Sequence, residues 1–173
     1  MNLLILGIGN VLLRDEGIGA RTVMELERRF LLPPGVELLD GGTSGIELLR
    51  HIRGRDCLII LDAVKDGLAP GAVSRMEGRE VPAVFRTRIS PHQLGLSDLL
   101  AAAMLTGELP ERVVLFGVEP ESVDLGLEMT APVRAGLERL IEAIGRELQG
   151  LGIAMTPRKT VLPEAIACLA PAA

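Results

Sequence analysis

Residues 56–62 have the sequence DCLIILD, in which five apolar residues stand between two aspartates. A continuous apolar run of this length is typical of a strand that is buried on both faces of a parallel sheet. Apolar runs at residues 2–6, 36–39 and 112–118 predict three further strands. Because segments with helical character separate these runs, the sequence predicts an α/β fold with a mostly parallel sheet and helices on both faces.

The helix signals between the strands are mainly capping residues. The clearest is SPHQ at residues 90–93, where Ser90 can cap a helix, Pro91 occupies its first position and Gln93 completes a capping box. Asp15 is expected to cap the first helix in the same way. The sequence predicts helices from Asp15 to about Phe30, over residues 47–52, from Ser90 to about Leu105 and over residues 132–148, and an edge strand over residues 72–76.

Composition and charge exclude several classes of protein. The chain has 173 residues, 48% of them hydrophobic, only three aromatic residues and a net charge of −5 without a basic tract. We therefore expect no nucleic-acid or membrane partner, and a monomer. Residues 1–10 lack the basic region of a signal peptide, and the two cysteines form no CxxC pair, which favours a cytoplasmic protein. Residues 1–150 are predicted to form one domain, and residues 151–173, which are rich in proline and alanine, a loosely attached tail.

Polar residues that could carry chemistry follow the ends of the predicted strands. They are Glu16, Asp40, Asp62, His92 and Glu119. Carboxyl ends of parallel strands meet at one edge of the sheet, where ligands bind at the point of reversed winding. We expect Asp62 and His92 at this rim, outside the core. Carboxylates and imidazole suit a divalent transition metal, and three such ligands would leave positions open for metal-assisted hydrolysis.

Simpler structural roles remain open for some of these residues. Asp40 can bond the amides of its own glycine turn, and His92 can act as a cap residue. Other enzyme classes fit less well. A dinucleotide site is suggested by GIGN at residues 7–10, but the third glycine is missing, and Asp15 and Glu16 would repel a pyrophosphate. No GxSxG elbow is present, and DGGTSG occurs only once, which disfavours serine hydrolases and pepsin-like proteases.

Five motifs in order resemble the hydrogenase maturation proteases, which trim the C-terminal extension of nickel-iron hydrogenase large-subunit precursors. The DGGT and HQLGL forms look most like the branch that processes uptake-type hydrogenases. The resemblance covers most of the chain up to about Leu148. The motifs are LILGIGNVLLRDEGIG at residues 4–19, DGGTSGIELL at 40–49, LIILDAV at 58–64, SPHQLGLSDLLA at 90–101 and LFGVEPESVDLGLEMTAPV at 115–133.

The resemblance implies a three-layer α/β/α sandwich around a twisted, mostly parallel five-stranded sheet with one antiparallel edge strand. It also implies that Glu16, Asp62 and His92 bind nickel and take part in catalysis, with Asp40 as an auxiliary acid. The resemblance further implies that the nickel belongs to the precursor, so that the protease holds no metal at rest and cleaves only after nickel insertion. Two alternatives stay open, namely a non-catalytic nickel-recognition chaperone and a metal-dependent peptidase that acts on another substrate.

Overall fold

The computed structural model describes residues 1–78, 81 and 91–160, and the side chains of residues 91–94 are outside this description. Seven strands lie in the described residues: β1 (Leu3–Ile8), β2 (Phe30–Leu31), β3 (Val36–Gly42), β4 (Cys57–Ala63), β5 (Val73–Glu77), β6 (Arg112–Val118) and β7 (Thr156–Pro157). The helices are α1 (Ile18–Arg29), α2 (Leu49–Ile52), α3 (Pro91–Leu105) and α4 (Ala131–Gly150), with short 3-10 helices at Arg14–Gly17 and Ile46–Leu48.

The main sheet has the strand order β3-β1-β4-β6-β5. The first four strands are parallel, and β5 runs antiparallel to β6 at the edge. This confirms the predicted five-stranded, mostly parallel sheet with one antiparallel edge strand. The central strands β1 and β4 are buried along their whole length, as their continuous apolar sequences indicated.

Two apolar cores, one on each face of the sheet, make the three-layer sandwich. Alternate residues of the central strands, such as Ile5 and Ile59, pack with α1 and α4. Their neighbours, such as Leu6 and Ile60, pack with α2 and α3 on the other face. Each fully buried aliphatic side chain contributes about 1.5–3 kcal/mol, so the two cores, which are aliphatic apart from the buried Phe116, account for the stability of the sheet. None of the described helices is both long and apolar enough to cross a membrane.

The segment predicted to be a loosely attached tail is in contact with the domain over its described part. Strand β7 pairs antiparallel with β2, and the backbone N–H of Arg158 donates to the carbonyl of Arg29 at 2.8 Å. Three apolar side chains of this segment pack against the α1–α4 core: Leu151, Ile153 and Met155. Residues 151–160 are therefore attached more closely than expected, and residues 161–173 lie outside the described part of the chain.

Candidate active site

The winding of the sheet reverses between β1 and β4, and we call this position the switch point. From β1 the chain passes to β3 on one side, and the next strand, β4, pairs with β1 on the other side. In open α/β sheets, ligands bind in the crevice outside the carboxyl ends of the strands at this point. Glu16 lies in the turn that follows β1, and Asp62 lies at the end of β4. The two acids therefore flank the position where the fold favours a ligand.

Glycine shapes the turn that carries Glu16. Gly9 has a φ of +131°, and a methyl group in place of its hydrogen would lie 1.9 Å from the carbonyl oxygen of Glu16. The N–H of Glu16 donates to the carbonyl of Leu13 at 3.0 Å, which closes the turn. Only glycine at position 9 lets the chain return this closely to the end of β1. The side chain of Glu16 is 8% exposed.

The start of α1 brings this turn to the end of β4. A methyl group at Gly19 would lie 2.1 Å from the carbonyl oxygen of Leu61 and 2.3 Å from that of Ile8. Helix α1 therefore begins directly against the ends of both central strands. The short helix that contains Glu16 is in contact with β4 as a result. Glycine at position 19 thus sets the approach of Glu16 to the strand that ends with Asp62.

Asp62 is fully buried, which differs from its expected place at an open rim. Its Oδ1 atom accepts a hydrogen bond from the N–H of Ala63 at 2.8 Å. Residues two and four positions earlier on the strand, Ile60 and Leu58, pack with α2 and α3. Because side chains alternate along a strand, Asp62 belongs to the same face. It is therefore a buried carboxylate beneath the α2–α3 layer.

Helix α3, which contains His92, begins at the same edge and on the same face. The helix starts at Pro91, as the sequence predicted, and this places His92 in its first turn. The side chain of His92 lies outside the described part of the structure. One turn later, a methyl group at Gly95 would lie 3.1 Å from the Cα of Gly45, in the loop that follows β3. The amino end of α3 is thus fixed at the carboxyl edge of the sheet, on the face that also holds Asp62.

Asp40 lies apart from Asp62. It is exposed near the end of β3, and its Oδ1 accepts a hydrogen bond from the N–H of Gly42 at 2.9 Å. This confirms the simpler interpretation that Asp40 bonds an amide of its own glycine turn. Leu39, its neighbour, packs in the α2–α3 core, so alternation turns Asp40 toward the other face. An auxiliary role in cleavage stays a prediction.

Asp15 has a different role from the one predicted. It does not cap α1, because Gly17 occupies that position and no side chain bonds there. The fully buried carboxylate accepts hydrogen bonds from the N–H groups of Glu121 at 3.0 Å, Ser122 at 2.9 Å and Thr130 at 2.7 Å. The Thr130 hydroxyl donates a further one at 2.9 Å. Asp15 thus holds both ends of the loop between β6 and α4.

Glu119 fixes a second loop at this edge. Its Oε2 accepts hydrogen bonds from the N–H groups of Asp66 at 2.6 Å and Leu68 at 3.1 Å, in the segment after β4.

Among the described side chains, which do not include that of His92, no three His, Cys, Asp or Glu form a group that could hold a metal ion. Metal binding by Glu16 and Asp62 therefore requires a further ligand from α3 or from a binding partner.

Cys57 is not placed to act as a nucleophile. It lies at the start of β4, at the edge of the sheet opposite Asp62. Burial raises the pKa of its thiol, which disfavours the reactive thiolate. The described residues thus give no support to a cysteine-linked covalent intermediate.

Comparison with known proteins gives the family. Residues 20–147 match the model of the HycI family, described as hydrogenase maturation protease. The chain belongs to the hydrogenase maturation protease family. It is 47% identical to the hydrogenase 2 maturation protease of Escherichia coli K12, over 93% of this chain and 99% of that protein. It is 46% identical to the hydrogenase expression/formation protein HupM of Azotobacter chroococcum, over 91% of this chain and 77% of that protein.

Solved structures agree with this assignment. The hydrogenase maturating endopeptidase HybD of E. coli superimposes with a TM-score of 0.88 at 47% identity, covering 91% of this chain and 98% of that one. The nickel-iron hydrogenase maturation protease HybD of Thermococcus kodakarensis has a TM-score of 0.71 at 29% identity, covering 85% and 99%. The protein is therefore a hydrolase, an endopeptidase of hydrogenase maturation.

Proposed function

We propose that this endopeptidase removes the C-terminal extension from the large-subunit precursor of a nickel-iron hydrogenase after nickel insertion. In this proposal Glu16, Asp62 and His92 bind the nickel that the precursor carries. The observation that supports it most directly is the position of two buried carboxylates on either side of the switch point between β1 and β4. The names of the related proteins indicate the class of substrate.

The chemistry of these residues fits a nickel ion. Carboxylate oxygen and imidazole nitrogen are both suitable ligands for Ni²⁺. Because Glu16 and Asp62 are buried away from water, their carboxylates attract a cation more strongly than exposed carboxylates would. Since three protein ligands leave positions vacant, the site can join a metal that the precursor already holds in part.

This division of ligands would let the enzyme test whether its substrate is ready. A precursor without nickel offers the carboxylates nothing to bind, so its peptide is not held at the switch point. With nickel present, the ion orients the scissile segment, and one of the two carboxylates can accept a proton from the attacking water. The hydrolysis needs no covalent enzyme intermediate.

The deciding experiment compares the purified precursor with and without nickel as substrate. We expect a C-terminal loss of mass only from the nickel-loaded precursor, measured by mass spectrometry. Binding of that precursor without cleavage would indicate the chaperone alternative. Cleavage of general peptides without nickel would indicate a peptidase for another substrate. The Glu142→Gln variant, which changes an exposed carboxylate on α4, serves as a control and should cleave like the wild type.

A further inference from the structure

Two loops at the carboxyl edge of the sheet present apolar side chains to solvent. One loop follows β1 and the other connects β6 to α4. We call the four side chains the apolar rim: Leu12 (48% exposed), Val123 (36%), Leu125 (82%) and Leu127 (58%). Single exposed apolar residues are common, but a group of this kind from two adjoining segments is typical of a binding surface.

Hydrogen bonds fix the two loops against each other. The N–H of Arg14 donates to the carbonyl of Gly126 at 2.9 Å, and the N–H of Gly126 donates to the carbonyl of Leu12 at 2.9 Å. The guanidinium of Arg21 donates to the carbonyl of Val11 at 3.2 Å and also to that of Leu127. A surface that is already ordered loses little conformational entropy when a partner binds.

The apolar rim is continuous with the candidate active site. Leu13, which pairs with Gly126, accepts the hydrogen bond from the N–H of Glu16. Asp15, the residue before Glu16, binds the backbone of Glu121 and Ser122, at the start of the second loop. A polypeptide that binds the apolar rim therefore lies next to the turn that carries Glu16, one of the proposed nickel ligands.

Charge indicates what kind of polypeptide fits. Three exposed carboxylates stand among the apolar side chains of the second loop, on Glu121, Asp124 and Glu128, against two cations, the exposed Arg14 and the half-buried Arg21. The local charge is net negative, in agreement with the −5 of the whole chain. Complementary charge favours a partner with lysine or arginine next to its apolar residues.

We propose that the apolar rim is the docking surface for the polypeptide substrate, and that it takes a precursor segment in which apolar side chains are flanked by lysine or arginine. This inference rests on the proposed function for the identity of the substrate. It assigns recognition of the polypeptide to a surface separate from the residues that recognise nickel.

The test is a double variant, Leu125→Ser with Leu127→Ser, assayed with the nickel-loaded precursor. We expect KM to rise about tenfold and kcat to stay within about twofold, because the change removes binding that is equal in ground and transition states. The matched control is Met104→Ser with Leu105→Ser, a pair that is 57% and 89% exposed at the carboxyl end of α3. A helix of this length places that pair about 20 Å from the edge where α3 begins.

Several outcomes would overturn the inference. These are an unchanged KM, an equal rise in the control pair, or a change from dimer to monomer in sedimentation, which would make the rim a surface for self-association.

Calorimetric titration with the precursor separates this inference from the proposed function. If the wild type binds the precursor without cleaving it, the proposed function fails, and a weaker Kd in the rim variant still supports docking. An equal Kd, or no binding by the wild type, rejects the docking surface.

Discussion

Carboxylates occur in two distinct settings in this molecule, at the carboxyl edge of the sheet and on the face between β5 and α4. At the edge, Asp15, Asp40 and Glu119 accept hydrogen bonds mainly from backbone N–H groups. On the β5–α4 face, Glu147 accepts hydrogen bonds from the guanidinium of Arg75 at 2.8 Å and of Arg112 at 2.9 Å.

The two settings have different electrostatic consequences. A guanidinium neutralises the carboxylate that it binds, whereas a backbone amide orients a carboxylate without removing its charge. The β5–α4 face contains a cavity of about 540 Å³, but its lining includes the ion pairs of Arg75 with Glu147 and Arg146 with Glu142. A cavity whose carboxylates are already paired with guanidinium groups is less suited to a cation than the carboxyl edge of the sheet, where carboxylates bond mainly to backbone amides. We therefore expect the edge to carry function and the face to carry stability.

The strongest test of this comparison is Asp62→Asn against Glu147→Gln. We expect Asp62→Asn to lower kcat/KM for precursor cleavage by about 10²- to 10⁴-fold, the effect of losing a positioned acid or base. Asparagine is preferable to alanine because its oxygen can still accept from the N–H of Ala63 within the buried site. Glu16→Gln should weaken nickel recognition only in part, because the amide oxygen can still act as a poor ligand.

Time courses with nickel-loaded precursor measure both variants. Glu147→Gln should cleave within about twofold of the wild type, because its partners Arg75 and Arg112 lie on β5 and β6, and Arg112 pairs with Cys57 at the end of β4 opposite Asp62. If Asp62→Asn processes the precursor at the wild-type rate, Asp62 has no role in cleavage and the assignment of the edge is wrong.

The second largest effect concerns stability at the edge itself. Asp15→Ala removes the acceptor of four hydrogen bonds and leaves buried donors without it, so we expect the free energy of unfolding to fall by about 3–5 kcal/mol. Urea denaturation measures the change. The control is Asp124→Ala, an exposed acid of the same loop, which should change the free energy of unfolding by about 0.5 kcal/mol or less. Equal effects of the two variants would contradict the role of Asp15.

Asp15 also shows where prediction from the sequence ends. The apolar runs predicted the strands, and the order of strands and helices predicted the sheet, because both depend on local patterns. The gathering of Glu16 and Asp62 at one edge followed from the rule for parallel sheets. The partners of Asp15 lie 106 to 115 residues along the chain, and no local pattern signals contacts at this distance. A cap on the adjacent helix was the nearest local explanation, and it was wrong.

Burial of single polar residues was similarly beyond local patterns. Asp62 ends an apolar strand, which correctly indicated its edge of the sheet. Whether it meets solvent there depends on the helices that cover that face, and these come from separate parts of the chain, α2 before Asp62 and α3 after it. The attachment of residues 151–160 likewise depends on pairing between β7 and β2, which are far apart in sequence.

The third prediction uses pH to test the β5–α4 face. Hydrogen bonding to Arg75 holds the pKa of Glu147 below its ordinary range. A lowered pKa in the folded state contributes stability that is fully present above the unfolded pKa of about 4.3 and is lost as pH falls through the lower, folded value. Glu147→Gln should therefore lower the free energy of unfolding by about 1 kcal/mol at neutral pH. The loss should be much smaller in strong acid, where the wild-type carboxyl is protonated and therefore uncharged, like the glutamine amide.

Urea denaturation at pH 7 and near pH 2.5 measures this difference. A Glu147→Gln effect that is the same at both pH values would show that the ion pair with Arg75 contributes nothing measurable to stability. Glu142→Gln provides the comparison, because its ion pair with Arg146 is 3.9 Å long and both side chains are 70% exposed. That variant should show little effect at either pH.

The smallest expected effect separates shape from charge at Asp40. Both Asp40→Asn and Asp40→Ala should leave nickel binding unchanged and alter the free energy of unfolding by no more than about 0.5 kcal/mol, because the side chain is exposed. Precursor cleavage should fall by up to about fivefold in both variants, the amount that an exposed charge interaction of up to 1 kcal/mol provides.

The two variants differ in one respect, since asparagine can still accept a hydrogen bond from the N–H of Gly42 and alanine cannot. If Asp40→Asn cleaves like the wild type and only Asp40→Ala is impaired, the turn geometry is what matters, and Asp40 acts as a structural acid like Asp15. If either variant loses nickel binding, Asp40 belongs with Glu16 and Asp62 among the ligands.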